Sequence, residues 1–114
     1  GKIERVLINL LDNAFKYSPS TGIVKNEARM VGDHLNISIS DQGAGIPSED
    51  RERIFERFTQ VAGESRKRRG FGLGLAYCRL AIEGHSGKIW VETGEEGAGS
   101  RFTFTLPTFP TPVE

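Results

Sequence analysis

Four polar side chains near the start of the chain have the spacing of one helix face. Asn9, Asn13, Lys16 and Tyr17 are separated by one to four residues, and a helix brings them into one ridge. Asparagine is a mediocre helix former, and its amide oxygen suits a hard cation such as magnesium. The pattern is typical either of a cation site or of a solvated helix face, and the helix alone does not decide between them.

A carboxylate followed by two glycines comes next, in the segment Asp41-Gln-Gly43-Ala-Gly45-Ile46-Pro. It directly follows alternating apolar residues, so the acid lies where a strand ends. Glycine permits tight turning and close approach of a ligand, and a carboxylate could accept a hydrogen bond from the exocyclic amine of adenine. The alternative is a plain Asp-Gly turn.

Glycines at alternate positions mark a third stretch, Gly70-Phe-Gly72-Leu73-Gly74-Leu75, which runs into an apolar segment with helical spacing. A glycine loop that leads into a helix favours phosphate, because backbone N–H groups and the positive helix end face the anion. The same spacing also occurs in ordinary turns. The preceding basic run, 66–69, either screens phosphate charge or forms a solvated surface.

Hydrophobic periodicity predicts the elements that position these stretches. Apolar residues recur at three- and four-residue steps from Ile3 to Phe15, which predicts a helix with one buried face that ends before Pro19. Two strands, at 23–31 and 35–40, are expected to follow, joined by a turn at Gly32-Asp33. His34 lies at this turn and is interpreted as a surface residue.

The second half of the chain begins with a short helix capped by Ser48. A polar segment without periodic apolar residues follows, and we expect a mobile lid over about 46–72. A longer helix over about 73–86 is expected to end at Gly87, and its His85 is interpreted as a capping or packing residue. Strands at 88–93 and 100–106 complete the framework, with Trp90 in the core and 107–114 as a tail or linker.

Length and composition restrict the class of protein. The chain has 114 residues, enough for one domain, and 15 basic residues balance 15 acidic ones. This balance gives no argument for a nucleic-acid or membrane partner. The single cysteine, Cys78, excludes an internal disulfide and favours a reducing, cytoplasmic setting, and no apolar run is long enough to insert in a membrane. We therefore expect a soluble domain.

Taken together, the motifs resemble those of the catalytic, ATP-binding domain of two-component sensor histidine kinases. The segment from Asn9 to Tyr17 is similar to that family's N box, the Asp41 segment to its first glycine box, Ile-Phe-Glu-Arg-Phe58 to its F box, and the Gly70 segment to its second glycine box. The resemblance covers nearly the whole chain and follows the family's motif order. It implies an α+β fold, a two-layer sandwich in which helices cover one face of a mixed, mostly antiparallel sheet, with a lid over ATP.

The resemblance also implies roles for individual residues. Asn13 would ligate Mg²⁺ with support from Asn9, and these two with Lys16 would form the catalytic set. Asp41 would bind the adenine amine. The other nucleotide contacts that it implies are Tyr17, Gly43, Gly45, Ile46, Phe58, Arg69, Gly70, Gly72, Leu73, Gly74 and Leu75.

The function implied by the resemblance is transfer of the γ-phosphoryl group of ATP to a histidine on a separate dimerisation domain of the same parent protein, and from there to a response regulator. Two alternatives remain. A clamp-type ATPase of the same superfamily would share the pocket but typically carries a glutamate at the position of Asn9, and a regulatory module would bind nucleotide without transfer.

Two departures from the family pattern stand out. Many relatives have an arginine just after the F box where this chain has Gln60, so Arg57 or the run 66–69 would have to make that phosphate contact. The chain also begins at the N-box helix without the strand or two that such domains usually place before it. We therefore expect an N-terminally trimmed domain, with its catalytic part at 1–106.

Overall fold

A computed structural model describes residues 1–19, 21–56, 71–94 and 97–108, with side chains described outside 71–73. Its two α-helices are α1, Lys2–Tyr17, and α2, Phe71–Gly84. Its four strands are β1, Lys25–Val31; β2, His34–Ser40; β3, Ile89–Thr93; and β4, Ser100–Pro107. Two short 3₁₀ turns, Ser48–Asp50 and Arg53–Phe55, lie between β2 and α2.

The four strands form one sheet in the order β1-β2-β4-β3, and every pairing among them is antiparallel. β4 therefore lies between β2 and β3, and its first residue is beside the end of β2. Asp41, just after β2, donates its backbone N–H to the carbonyl oxygen of Ser100 at 2.9 Å. This pairing holds the acidic motif against the last strand.

The helices cover one face of this sheet, which confirms the predicted α+β sandwich. From α1 the core receives Val6, Leu10 and Ala14, each at most 3% exposed, as the periodicity predicts. Phe15 is an exception, because it is 67% exposed instead of buried. It lies on the edge of the apolar stripe, where neither the sheet nor α2 covers it.

Trp90 lies on the sheet face opposite the core, so the prediction that it is a core residue is wrong. Ile89 and Val91 are buried beside Phe104 and Phe102, so Trp90 between them points to the other face and is only half-buried. A large aromatic residue suggested the core, but the alternation of β3 decides its direction.

The segment between β2 and α2 also differs from the predicted single helix. Its described part, up to Glu56, contains two 3₁₀ turns, and Pro47 instead of Ser48 precedes the first of them without a side-chain capping bond. Ile54 and Phe55 are almost fully buried and hold this segment on the core. The rest of the expected lid up to residue 70 lies outside the described residues.

Ser86, instead of the predicted Gly87, adopts the left-handed conformation that terminates α2. Ser86 has a φ of 67° and donates its N–H to the carbonyl oxygen of Glu83, and the N–H of Gly87 reaches back to Ile82 at 2.9 Å. These bonds satisfy the last carbonyl groups of the helix. Serine therefore occupies a left-handed position that favours glycine.

Replacing Ser86 with glycine is expected to raise the free energy of unfolding by roughly 0.5–1 kcal/mol, since glycine adopts positive φ without steric cost. Urea denaturation would measure this as a higher midpoint with an unchanged slope. Ser86→Ala is the control, because alanine keeps the β-carbon and should give no gain. Equal stability of the glycine and alanine variants would contradict the assignment.

Candidate nucleotide-binding site

The polar ridge of α1 divides into a buried part and an exposed part. Asn13 is 7% exposed, and its Nδ2 atom is buried without a hydrogen-bond partner among the described residues. Lys16 is about half exposed, and its Nζ lies 3.8 Å from Asp12 Oδ2. An exposed pair of this kind is weak. Lys16 can therefore leave Asp12 for a ligand, whereas the Asn13 side chain is enclosed by its surroundings.

Asp41, in the loop that follows β2, is also buried, at 8% exposure. Its Oδ1 accepts the backbone N–H of Gly43 at 2.8 Å and that of Ser100 at 3.3 Å. Both bonds fix the orientation of the carboxyl group. A buried, oriented acceptor is suited to recognise a donor on a ligand.

Close backbone packing explains two glycines around Asp41. A β-carbon on Gly43 would lie 2.3 Å from the carbonyl oxygen of Tyr17, at the end of α1. One on Gly99, which has a φ of 72°, would lie 1.9 Å from the carbonyl oxygen of Asp41. These approaches join the acidic loop to the helix that carries Asn13 and to the turn before β4.

Gln42 adds a side-chain connection within the same loop. Its backbone N–H donates to Ser18 Oγ at 3.1 Å, and its Oε1 accepts the N–H of Ile23 at 3.0 Å. The chain between α1 and β1 is thus tied to the acidic loop, which restricts how far α1 and β2 can separate.

A small cavity opens between these elements. Its lining residues come from α1, from the acidic loop and from β4: Asn13, Tyr17, Asp41, Ala44, Gly45, Ile46, Ser100 and Phe102. Five of these were predicted from the sequence. Ala44, Ser100 and Phe102 were not, although alternation along β4 places Ser100 and Phe102 on the same sheet face as the core residue Phe104.

The glycine stretch contributes through the start of α2. The helix begins at Phe71, so Gly72, Leu73 and Gly74 lie in its first turn instead of in a preceding loop. Asn9 Nδ2 lies 3.5 Å from the carbonyl oxygen of Gly74, a long hydrogen bond that links the two helices. The start of α2 is therefore beside the polar ridge of α1.

The remaining predicted residues of this stretch differ in position. Leu75 is fully buried in the core, so its side chain packs α2 against the core and is not exposed to a ligand. Phe58, Arg69 and Gly70 lie outside the described residues, and their predicted contacts stay predictions.

Cys78, one turn beyond Leu75, is fully buried on α2. Burial raises the pKa of its thiol to about 12. A hydrogen bond with the Asn9 side chain lowers this pKa, but by less than burial raises it. The thiol is therefore neutral at physiological pH and packs behind Asn9 as a small apolar group.

Two kinds of feature are absent from the described residues. Within the part of the chain that the structure describes, no three His, Cys, Asp or Glu side chains gather in a way that could hold a metal ion. Among the same residues, no helix combines the length and apolar character required to cross a membrane.

Comparison with known proteins identifies a family that matches almost the whole chain. Residues 1–110 match the family described as histidine kinase-, DNA gyrase B-, and HSP90-like ATPase. The adaptive-response sensory kinase SasA of Nostoc sp. (strain PCC 7120) is 44% identical over 114 residues, and the match covers 96% of this chain but only 27% of that protein. The chain thus spans about a quarter of the length of this relative.

Solved structures show the same fold. The catalytic domain of histidine kinase ThkA, in a nucleotide-free form, aligns with a TM-score of 0.80 and 34% identity, over 96% of this chain and 68% of that one. Full-length ShkA in complex with AMPPNP aligns with a TM-score of 0.77 and 30% identity, over 98% of this chain and 23% of that one. These matches confirm the resemblance drawn from the four motifs, and the chain belongs to the family of histidine kinase-, DNA gyrase B- and HSP90-like ATPases.

Proposed function

We propose that this domain binds magnesium-ATP and positions its γ-phosphoryl group for transfer to a histidine on a separate dimerisation domain of the parent protein, in the cytoplasm. The observation that carries the proposal is the cavity in which the buried Asn13 amide and the oriented Asp41 carboxylate line one space between α1, the acidic loop and β4. The ShkA structure that contains AMPPNP supports a nucleotide as the ligand.

The adenine base is assigned to the Asp41 end of the site. Ile46 and Phe102, which are 7% and 5% exposed, provide apolar walls there, and the carboxylate accepts a hydrogen bond from the exocyclic amine. The cavity has little free volume as it stands, so binding of the base requires its lining to move. The phosphates then extend toward Lys16 and the start of α2, whose N-terminal end favours anions.

Mg²⁺ fits the amide ligands of α1. Magnesium prefers oxygen ligands and is usually held by one or two protein groups together with phosphate oxygens and water. Asn13 lies at the cavity with an amide group whose Nδ2 has no partner among the described residues, so the amide can turn its oxygen to a ligand without breaking a hydrogen bond. Asn9 would support the ion beside Asn13. The bound ion would neutralise negative charge on the phosphates.

The amide at position 9 favours a kinase over a clamp-type ATPase. Its Nδ2 faces the carbonyl oxygen of Gly74, and a neutral amide cannot take a proton from water. Neither histidine is placed to accept phosphate. His34 Nδ1 is 2.8 Å from Asp33, on the hairpin turn, and His85 Nδ1 donates to the carbonyl oxygen of Ala81 at 2.7 Å, at the far end of α2.

Steady-state turnover by the domain alone tests the proposal. The domain should bind magnesium-ATP, measured by titration calorimetry, and release inorganic phosphate at a rate near that of a variant without a site, Asp41→Ala with Asn13→Ala. Rapid phosphate release that this double variant lacks would favour the clamp-type ATPase. Binding of magnesium-ATP without transfer when the dimerisation domain of the parent protein is also added would favour the regulatory module.

Gly74→Ala is expected to separate phosphate binding from stability. A β-carbon at this position would lie 3.8 Å from Asn9 Cγ, an ordinary contact, and alanine is the better helix former, so the free energy of unfolding should stay equal or rise by up to about 1 kcal/mol. The added methyl group faces the phosphate side of the site. ATP affinity should fall on the order of tenfold while adenosine affinity is unchanged, and an equal loss for both ligands would instead indicate a folding defect.

A further inference from the structure

We propose that Arg79 is a positioning residue for the nucleotide base. It lies on α2, outside the motifs that define the site, and acts through Phe55 on Phe102, which is a wall of the cavity. This inference rests on the proposed function only for the identity of the ligand, since the contacts that carry it are present without nucleotide.

The first contact is between Arg79 and Phe55. The guanidinium carbon lies 4.6 Å from the centre of the Phe55 ring, and Phe55 is only 3% exposed. A cation over an aromatic face is attracted to the ring, more strongly where water is excluded, and the guanidinium plane also covers the ring as a packing surface. Arg79 therefore closes the solvent side of Phe55.

The second contact connects Phe55 with the site. The rings of Phe55 and Phe102 meet edge to face, with centres 6.2 Å apart and planes at 78°. Such a pair prefers this geometry, so the direction of one ring restricts the other. Phe102 lines the cavity together with Asp41 and Asn13. Displacement of Phe55 would therefore change the space available to the base.

The ion pairs of Arg79 contribute less than its position on the ring. Its Nη2 is 3.0 Å from Glu52 and its Nε is 3.8 Å from Glu83, but these two carboxylates are 80% and 59% exposed. Exposed pairs contribute little to stability. The Arg79 side chain itself is 26% exposed, so most of it is enclosed between α2 and the 3₁₀ turn that carries Phe55. Its cation–π contact and its packing are what the role requires.

The role also explains why a helix residue can influence the base end of the site. Gly74 and Arg79 are five residues apart, about 7.5 Å along α2. The carbonyl oxygen of Gly74 accepts a hydrogen bond from the Asn9 amide on the phosphate side. Arg79 covers the Phe55 ring on the base side. One rigid helix thus contacts both ends of the site.

The test compares Arg79→Met, which keeps an unbranched stem without charge, with Arg79→Lys, which keeps the cation. Binding of ATP, adenosine and magnesium tripolyphosphate is titrated at a temperature where urea curves show all variants to be folded. Arg79→Met should weaken ATP and adenosine by the same factor, on the order of tenfold, without changing tripolyphosphate affinity. Arg79→Lys should restore both to within about threefold of the parent.

Two controls complete the experiment. Arg29→Met removes an exposed arginine on β1, and Glu52→Gln with Glu83→Gln removes the ion pairs but leaves the ring contact; both should bind like the parent. Equal adenosine affinity of parent and folded Arg79→Met would overturn the inference, as would an equal loss in the lysine variant or in the glutamine double variant.

A measurement without nucleotide separates this inference from the proposed function. The methyl resonances of Ile46, in the cavity wall, should shift in Arg79→Met and return in Arg79→Lys, because the Phe102 ring beside them moves. If the parent domain binds no nucleotide but these shifts are present, the proposed ligand is wrong and the positioning role of Arg79 stands. Absence of the shifts would reject the positioning role itself.

Discussion

Replacing Asn13 with alanine is expected to abolish magnesium-dependent ATP binding while leaving the fold intact. Loss even of groups that only orient metal ligands costs 10–100-fold in metal affinity, so loss of the ligand itself should cost on the order of 100-fold or more. Because the buried Nδ2 has no partner among the described residues, its removal relieves a desolvation cost, and the free energy of unfolding should change by less than about 1 kcal/mol.

Titration of ATP with Mg²⁺ and with EDTA measures the effect. The parent should bind far more weakly in EDTA, whereas the Asn13→Ala variant should bind equally weakly in both. Asn26→Ala is the matched control, since Asn26 is exposed on β1 away from the cavity. A variant that keeps the full magnesium dependence would show that the ligand is another residue.

Exchanging Asp41 for asparagine is expected to reverse the preference of the site for adenine. The amide oxygen can still accept the N–H groups of Gly43 and Ser100, so the loop should remain folded. Its NH₂ group would then meet the donor amine of adenine, where two donors oppose each other. ATP affinity should fall by roughly 1–3 kcal/mol, and GTP, which has a carbonyl group at that position, should be the better ligand of the variant.

The alanine variant supplies the control for Asp41. It leaves the two backbone donors in a buried position without their acceptor, so it should lose stability as well as affinity, by on the order of 1–3 kcal/mol for each donor left unpaired. Competition between ATP and GTP for the parent domain is the comparison that matters. Equal competition by the two nucleotides would show that Asp41 does not recognise the base.

The sequence predicted the elements better than it predicted their surroundings. Within the described residues, periodicity located the two α-helices and the four strands, because burial of one face imposes a repeat on each of them. It failed for Phe15, a large apolar residue on an uncovered side of α1, whereas Trp90 was misassigned because its size was given more weight than the alternation of β3. Which flank of an element is covered depends on its neighbours in space, and the repeat of a single element does not contain that information.

The candidate site likewise combines residues that local sequence pattern predicted with residues that only the packing of the fold brings together. Asp41 and Asn13 were predicted from their types and positions, and the burial of Asn13 argues against a fully solvated helix face, one of the two alternatives that the helix pattern left open. Ser100 and Phe102 were missed because they are ordinary strand residues, and only the pairing of β4 with β2 brings them to the cavity. Arg79 was missed for a related reason: its contact with Phe55 joins two segments that no local pattern relates.

Phosphoryl transfer to an added acceptor tests the central proposal most directly. The domain is incubated with γ-labelled ATP and Mg²⁺, alone and with the dimerisation domain of the parent protein that carries the acceptor histidine, tethered in cis or added at high concentration, because tethering raises the acceptor concentration at the γ-phosphate. The account predicts acid-labile phosphohistidine on the added domain, none on His34 or His85, and no transfer by the Asn13→Ala variant. Rapid release of inorganic phosphate by the domain alone, with the added domain unlabelled, would contradict it.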